Sequence, residues 1–373
     1  MNNINFPHIS DIDKVAEHIV NKCLRVKPNE IVNIRGGIHQ YPLLTKIQIY
    51  VHKNGGYGIL DIRDDETTIA LINEIDDEHI GKIPKGIRDL QDQVDVEFIL
   101  YPNYSLAADR RKDLKKNALR NERIAQYDKE RKSRALIMEW PTAPKAETYG
   151  ISLEKLEKIY WSAFWADLDK LTSEAAVIKN KLQGAKKVTI TSENGKTLEF
   201  AINDRPIWVD TGCFTEDLVA AGDLTKNLPC GEVYCSPIED SANGNVLFQK
   251  VFHNGNWIRD LELTFTNGRV SQVTATEGKE IFENVLKMHS GDKDCIAELG
   301  IGLNPNVPET IGNTLLDEKV VGSIHIAIGK NTMYGGINKS SLHWDLVAMH
   351  PSVTADDKTI MSKGKLELTN GSQ

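Results

Sequence analysis

The sequence predicts an α/β plus α+β chain: an open, mostly parallel α/β domain over residues 1–184, then a β-rich, largely antiparallel domain over 185–373. Three observations predict it. Apolar strand-like runs alternate with helical stripes through the first half, as right-handed βαβ crossovers require. Asn-Gly pairs recur between alternating apolar stretches in the second half, the strongest short hairpin signal. At 373 residues, 40% hydrophobic and 26% charged, the chain can bury two cores and has the composition of a water-soluble globular protein.

The first helix is read in "SDIDKVAEHIVNKCL", where Ser10 caps a stripe of Ile12, Val15, Ala16, Ile19, Val20 and Leu24. "EIVNIRG" (30–36) is a strand ended by glycine. "YPLLTKIQIYVHKNGG" is helical and stops at Asn54-Gly55. Further strands are "YGILDIR" (57–63), "VEFILYP" (96–102) and "RALIMEW" (134–140), with a long helix over 106–132 and two more over 152–184. No strand is followed by Gly-x-Gly-x-x-Gly or a Walker pattern, so a nucleotide site lacks support. From residue 185 the pattern changes. "AKKVTITSENGKTLEFAI" is two strands about Asn194-Gly195, and Asn-Gly returns at 243–244, 254–255 and 267–268. One helix, "GKEIFENVLKMH" (278–289), interrupts the strands.

A formal charge of −8 argues against a nucleic-acid surface, which needs clustered excess Lys and Arg. Basic runs such as "DRRKDLKK" are interleaved with acids and read as a solvated helix face. Five cysteines, scattered and odd in number, do not make a disulfide framework. Cys230 and Cys235 have no second pair to complete a zinc ribbon, so free thiols are expected. The N-terminus has neither a basic start nor an apolar run, and no segment has the roughly 18 apolar residues of a membrane span. A cytoplasmic protein without membrane partners is expected.

Acids and histidines gather in four segments of the second half. "LPCGEVYCSPIEDSANG" places Glu232 at the start of a strand, and "CIAELGIGLNPN" sets Glu298 inside an apolar one. "NTLLDEKVVGSIHIAIG" carries Glu318 and His325, and "SSLHWD" carries His343 and Asp345. Glu298, among Ile296, Ala297, Leu299 and Ile301, would cost on the order of several kcal/mol if buried unpartnered, or would take up a proton. His343 and Asp345, at i and i+2, project from one strand face about 7 Å apart, with Trp344 turned into packing. Imidazole and carboxylate are ligands that Zn²⁺, Co²⁺ or Mn²⁺ accept, and four acids with two histidines exceed one tetrahedral ion. Two ions roughly 3.5 Å apart, sharing a carboxylate, use the whole inventory. Singly, each residue has a plainer reading. A strand histidine is more often a hydrogen-bonded core residue than a ligand; Glu232 could merely begin a surface strand, and Glu318 in "DEK" could be helix-end polarity. Tyr334, before Gly335-Gly336, is either a turn residue or a phenol aimed into the site.

Taken in order, these segments resemble the aminopeptidase T, aminopeptidase S and PepS family of dinuclear metallo-aminopeptidases. "YGG", "NKCLRVKPNEIVNIRG" and "WPTAPKAETYGISLEKLEK" extend the likeness to nearly the whole chain. The resemblance implies two divalent ions (Zn, Co or Mn) held by Glu232, Glu298, Glu318, His325, His343 and Asp345, with Glu298 the bridge. It places Tyr334 at the active-site tyrosine, and it implies a homodimer of two-domain subunits. The activity implied is removal of the N-terminal residue from peptides with a free N-terminus by a metal-bridged water. Tyr334 would then donate a hydrogen bond to the tetrahedral oxyanion, worth ~3 kcal/mol. Two rivals share these residues. His325, His343 and Asp345 alone make the 2-His-1-carboxylate set of a non-haem Fe(II) ring-cleaving dioxygenase, and a dioxygenase is known on this scaffold. Alternatively the metal only stabilises a non-catalytic binding protein. The three glutamates favour hydrolysis, since one iron has no use for all of them.

Overall fold

The computed structural model describes residues 9–128 and 133–369. Its strands are, in chain order, β1 (Ile31–Gly37), β2 (Tyr57–Arg63), β3 (Val96–Leu100), β4 (Arg134–Met138), β5 (Lys187–Thr191) and β6 (Thr197–Ala201). There follow β7 (Ile207–Asp210), β8 (Thr225–Leu228), β9 (Glu232–Cys235), β10 (Asn243–His253), β11 (Asn256–Thr266) and β12 (Arg269–Thr274). The last are β13 (Ile296–Gly302), β14 (Ser323–Gly329), β15 (His343–Met349), β16 (Ser352–Ala355), β17 (Lys358–Ser362) and β18 (Lys365–Leu366). Two compact units form, residues 1–156 with 212–228 and residues 157–211 with 229–373.

In the first unit the strand order is β2-β1-β3-β4-β8, and every pairing is parallel. In β3 the alternate residues Val96, Phe98 and Leu100 are fully buried and make one face of the strand apolar core. The helix Tyr41–Lys53 carries Pro42 in its first turn and ends at Asn54 and Gly55 (φ +79°), as the sequence predicts. The helix expected over 106–132 is instead a 3₁₀ turn, Leu106–Arg111, and a helix, Leu114–Asp128. Asp113 separates them by accepting hydrogen bonds from the amides of Lys115 and Lys116; the helix end expected past 128 lies outside the described residues. The first helix changes at His18 to a π-helix that runs to Leu24, and the Ser10 side chain lies outside the described residues.

The second unit contains the helix Leu168–Leu182, capped by the Asp167 carboxylate, and two antiparallel sheets. The unit boundary therefore falls at 156, within the helix Leu153–Phe164, rather than at 184. The helix 168–182 packs on β7 and β9, which is why it goes with the second unit. The segment 212–228 returns to the first, where β8 pairs with β4. Four residues with two of them buried are too short a pattern to announce a fifth parallel strand.

The larger sheet runs β12-β11-β10-β6-β5-β16-β17-β18. Asn254-Gly255 and Asn267-Gly268 turn its hairpins with positive φ at both residues, the conformation that favours Asn-Gly, and Gly195 (φ +79°) lies in the β5–β6 connection. Asn243-Gly244 is different: it opens β10, and Gly244 is glycine because a Cβ would lie 2.2 Å from the Thr197 carbonyl oxygen. The smaller sheet, β15-β14-β13-β9-β7, carries the candidate site. The expected helix appears as Lys279–Met288. Cys23, Cys213, Cys230, Cys235 and Cys295 are free thiols, and among the described residues no helix is long and apolar enough to cross a membrane.

Candidate metal centre

Side chains alternate across a strand, so β13, β14 and β15 each present every second residue to one face. Leu299, Ile301, Ile324, Ile326, Ile328 and Leu346 fill the opposite, fully apolar face. The site face reads Glu298-x-Gly300-x-Gly302, His325-x-Ala327-x-Gly329 and His343-x-Asp345. Register aligns these rows: Gly300 opposes His325, Glu298 and Asp345 both oppose Ala327, and His343 opposes Gly329. Each large ligand-type side chain thus faces a small one. At Gly300 the need is absolute, since a Cβ would lie 1.9 Å from Cε1 and 2.1 Å from Nε2 of His325. A register shift at Ala297, between Ile296 and Glu298, sets which residues of β13 face the site.

Glu298 is the hub. Its Oε1 lies 3.3 Å from His325 Nε2 and its Oε2 lies 3.3 Å from His343 Nε2; His343 Nε2 is also 3.4 Å from Asp345 Oδ1. Among the described residues, Glu298, His343 and Asp345 form the group whose ligand atoms all lie within 4.8 Å of one another. His343 Nδ1 donates to the Lys330 carbonyl at 2.7 Å, which leaves Nε2 for the site. Trp344 faces away, stacked on Phe282 at 5.4 Å, as the alternation predicts.

Glu232 and Glu318 are also inward, but their partner is one that sequence reasoning missed. Lys319 is completely buried, and its Nζ donates to Glu232 Oε1 at 2.6 Å and to Glu318 Oε2 at 3.0 Å. Glu232 Oε2 is 3.9 Å from His325 Nε2, so Glu232 touches the margin of the histidine cluster. Asp210, buried on β7, pairs in register with Glu232. Tyr334 ends a 3₁₀ turn with its ring edge-on to His343 (5.6 Å) and Tyr234 (5.3 Å). All six candidate ligands and Tyr334 thus share one region of the second unit.

Electrostatics follow from packing acids and imidazoles together out of water. Burial alone would strip the proton from His343, yet Asp345 and Glu298 beside it raise its pKa to about 12. His325, likewise opposed by burial and supported by Glu298 and Glu232, rises to about 9. Burial works to raise Glu298 and Asp345, but the adjoining imidazoles hold both below the usual carboxylate range. Burial raises Glu318 to about 8 and also raises Glu232, in both cases against the pull of Lys319. Burial, then the charges of Glu298 and Asp345, keep Tyr334 a neutral phenol and so a donor.

Glu232 Oε2 and His325 Nδ1 are buried without hydrogen-bond partners, and Glu298 Oε2 has the His343 imidazole at 3.3 Å. Buried carboxylates packed against imidazole nitrogens are a donor set that fits a divalent ion such as Zn²⁺, Co²⁺ or Mn²⁺ in place of the imidazole protons.

Comparison with known proteins agrees. The family described as thermophilic metalloprotease (M29) matches residues 9–366. The chain is 23% identical to Aminopeptidase 2 of Geobacillus stearothermophilus over 402 aligned positions, covering 94% of each protein. It is 25% identical to Aminopeptidase PepS of Streptococcus thermophilus over 48% of this chain and 46% of that protein. Among solved structures, wild-type AmpT from Thermus thermophilus superposes with a TM-score of 0.72 at 16% identity, over 96% of this chain and 99% of that one. The 2,5-dihydroxypyridine dioxygenase from Pseudomonas putida KT2440 superposes with a TM-score of 0.66 at 14% identity, over 99% and 100%.

Proposed function

The chain belongs to the thermophilic metalloprotease (M29) family, hydrolases of peptide bonds, and from that premise we propose that it is a metal-dependent aminopeptidase. Its relatives named as aminopeptidases support the exopeptidase reading. The observation that carries the reading is the convergence of Glu298, His343 and Asp345 within 4.8 Å, with His325 against Glu298.

Glu298, His343 and Asp345 would hold a divalent ion, with His325 completing the cluster. The ion supplies Lewis-acid polarisation of the scissile carbonyl and a lowered pKa for an attacking water. Glu298, in contact with both imidazoles, orients them. Lys330 keeps His343 in the tautomer that offers Nε2. Tyr334, held neutral, donates a hydrogen bond to the tetrahedral oxyanion. The substrates are peptides with a free N-terminus, the assembly is a homodimer and the compartment is the cytoplasm; free thiols at all five cysteines suit the last.

The test is release of p-nitroaniline from leucyl- and arginyl-p-nitroanilide with Zn²⁺, Co²⁺ or Mn²⁺ added, before and after chelation. Glu298→Ala should abolish both turnover and bound metal; full activity in that variant would remove Glu298 from the centre. A second reading has a specific observation behind it. Lys319 engages both Glu232 and Glu318, giving these two glutamates a partner other than a metal, so the presence of three glutamates no longer weighs against a single iron held by His325, His343 and Asp345. Oxygen uptake on a dihydroxypyridine with Fe²⁺ bound, and no amide hydrolysis, would establish that reading instead.

A further inference from the structure

We infer that this centre takes one divalent ion rather than two, because the ammonium of Lys319 already sits between Glu232 and Glu318, the carboxylates on which a second cation would draw. The inference rests on the metallopeptidase reading and concerns how many ions that site holds. A second ion drawing on Glu232 and Glu318 must approach their oxygens to about 2.0–2.2 Å. Lys319 Nζ already lies 2.6 Å from Glu232 Oε1 and 3.0 Å from Glu318 Oε2, and a dication brought to this carboxylate pair would be repelled by it.

The ammonium is enclosed. Lys319 is fully buried, its amide donates to the Leu316 carbonyl at 3.0 Å, and its carbonyl accepts the Asn304 amide at 2.9 Å. Both backbone bonds fix the residue between the helix Thr314–Asp317 and β14, and its buried side chain ends at the two carboxylates. The one cage of mutually close ligand atoms among the described residues, Glu298 with His343 and Asp345, includes neither Glu232 nor Glu318. The six acids and imidazoles therefore divide by task. Four surround the ion, while one oxygen each of Glu232 and Glu318 holds the ammonium and Glu232 Oε2 lies 3.9 Å from His325 Nε2.

The experiment counts Zn²⁺ bound per full-length chain, by calorimetric titration and by elemental mass spectrometry after dialysis, without reference to turnover. About one ion is expected in the wild-type protein and in Lys319→Arg, and about two in Lys319→Met, where the carboxylate pair is left anionic and vacant. Circular dichroism confirms folding of each variant. Two ions in the wild type, or no gain in folded Lys319→Met, would overturn the inference while leaving the metallopeptidase reading intact. No zinc in any of the three proteins would instead bring down the reading on which it rests. If Lys319→Met does not fold, the wild-type count decides alone: one ion upholds the inference and two reject it.

Discussion

Gly300 and His325 are one structural decision made at two positions. The imidazole occupies the space a Cβ would take at Gly300, and any side chain there would enter the ring. Gly300→Ala should leave β13 formed but displace His325, at an overpacking cost of about 1–3 kcal/mol, with zinc affinity falling roughly 10–100-fold. Thermal melts and zinc titration measure both, and unchanged affinity would take His325 out of the metal's surroundings. Tyr334→Phe removes a donor and nothing that binds metal. It should lower kcat by roughly a hundredfold with bound zinc unchanged, and loss of zinc would show the phenol has another role. The acids and histidines were legible in the sequence because charged residues inside apolar strands need a reason. Lys319 was not. In "DEK" it has every mark of a solvated lysine, and only the fold brings Glu232, 87 residues earlier, to its ammonium.

At the scale of elements, alternation and Asn-Gly pairs made most strands and three hairpins legible, because both signals are local. The shift at Ala297, the opening of β10 at Asn243-Gly244 and the departure of β8 are set by what the chain meets at a distance, so no local pattern reports them. The short turn Ile38–Gln40 between β1 and its helix offers an element-level test. His39 there is buried beside Tyr104, with Nε2 unpartnered, and burial followed by the charge of Lys145 lowers its pKa to about 4. An unfolded chain binds this proton below about 6.5, whereas the folded one refuses it until about 4. The contribution is thus complete above 6.5 and is lost as pH falls through the window to 4. Urea midpoints for the first unit should fall across that window in the wild type and fall less steeply in His39→Phe. Equal slopes would mean that His39 protonates without penalty.

For the molecule as a whole, an ion bound in one unit should stabilise the structure that holds it. Zinc at a hundredfold its Kd contributes about 2.7 kcal/mol to the native state. Hydrogen exchange should then slow at the amides of β13, β14 and β15 and stay unchanged across β1 to β4; uniform slowing would contradict a centre confined to the smaller sheet. The class of each half was legible in the sequence, but the path between them was not, since a patterning change marks where a new sheet begins and says nothing of a later return. That return has a consequence for biosynthesis. A ribosome releases β4 long before β8, with β5, β6 and β7 emerging in between, so the nascent parallel sheet waits with an open edge on β4 until residues 225–228 arrive. Nascent chains stalled before that point should engage chaperones through this edge, and translation past it should release them.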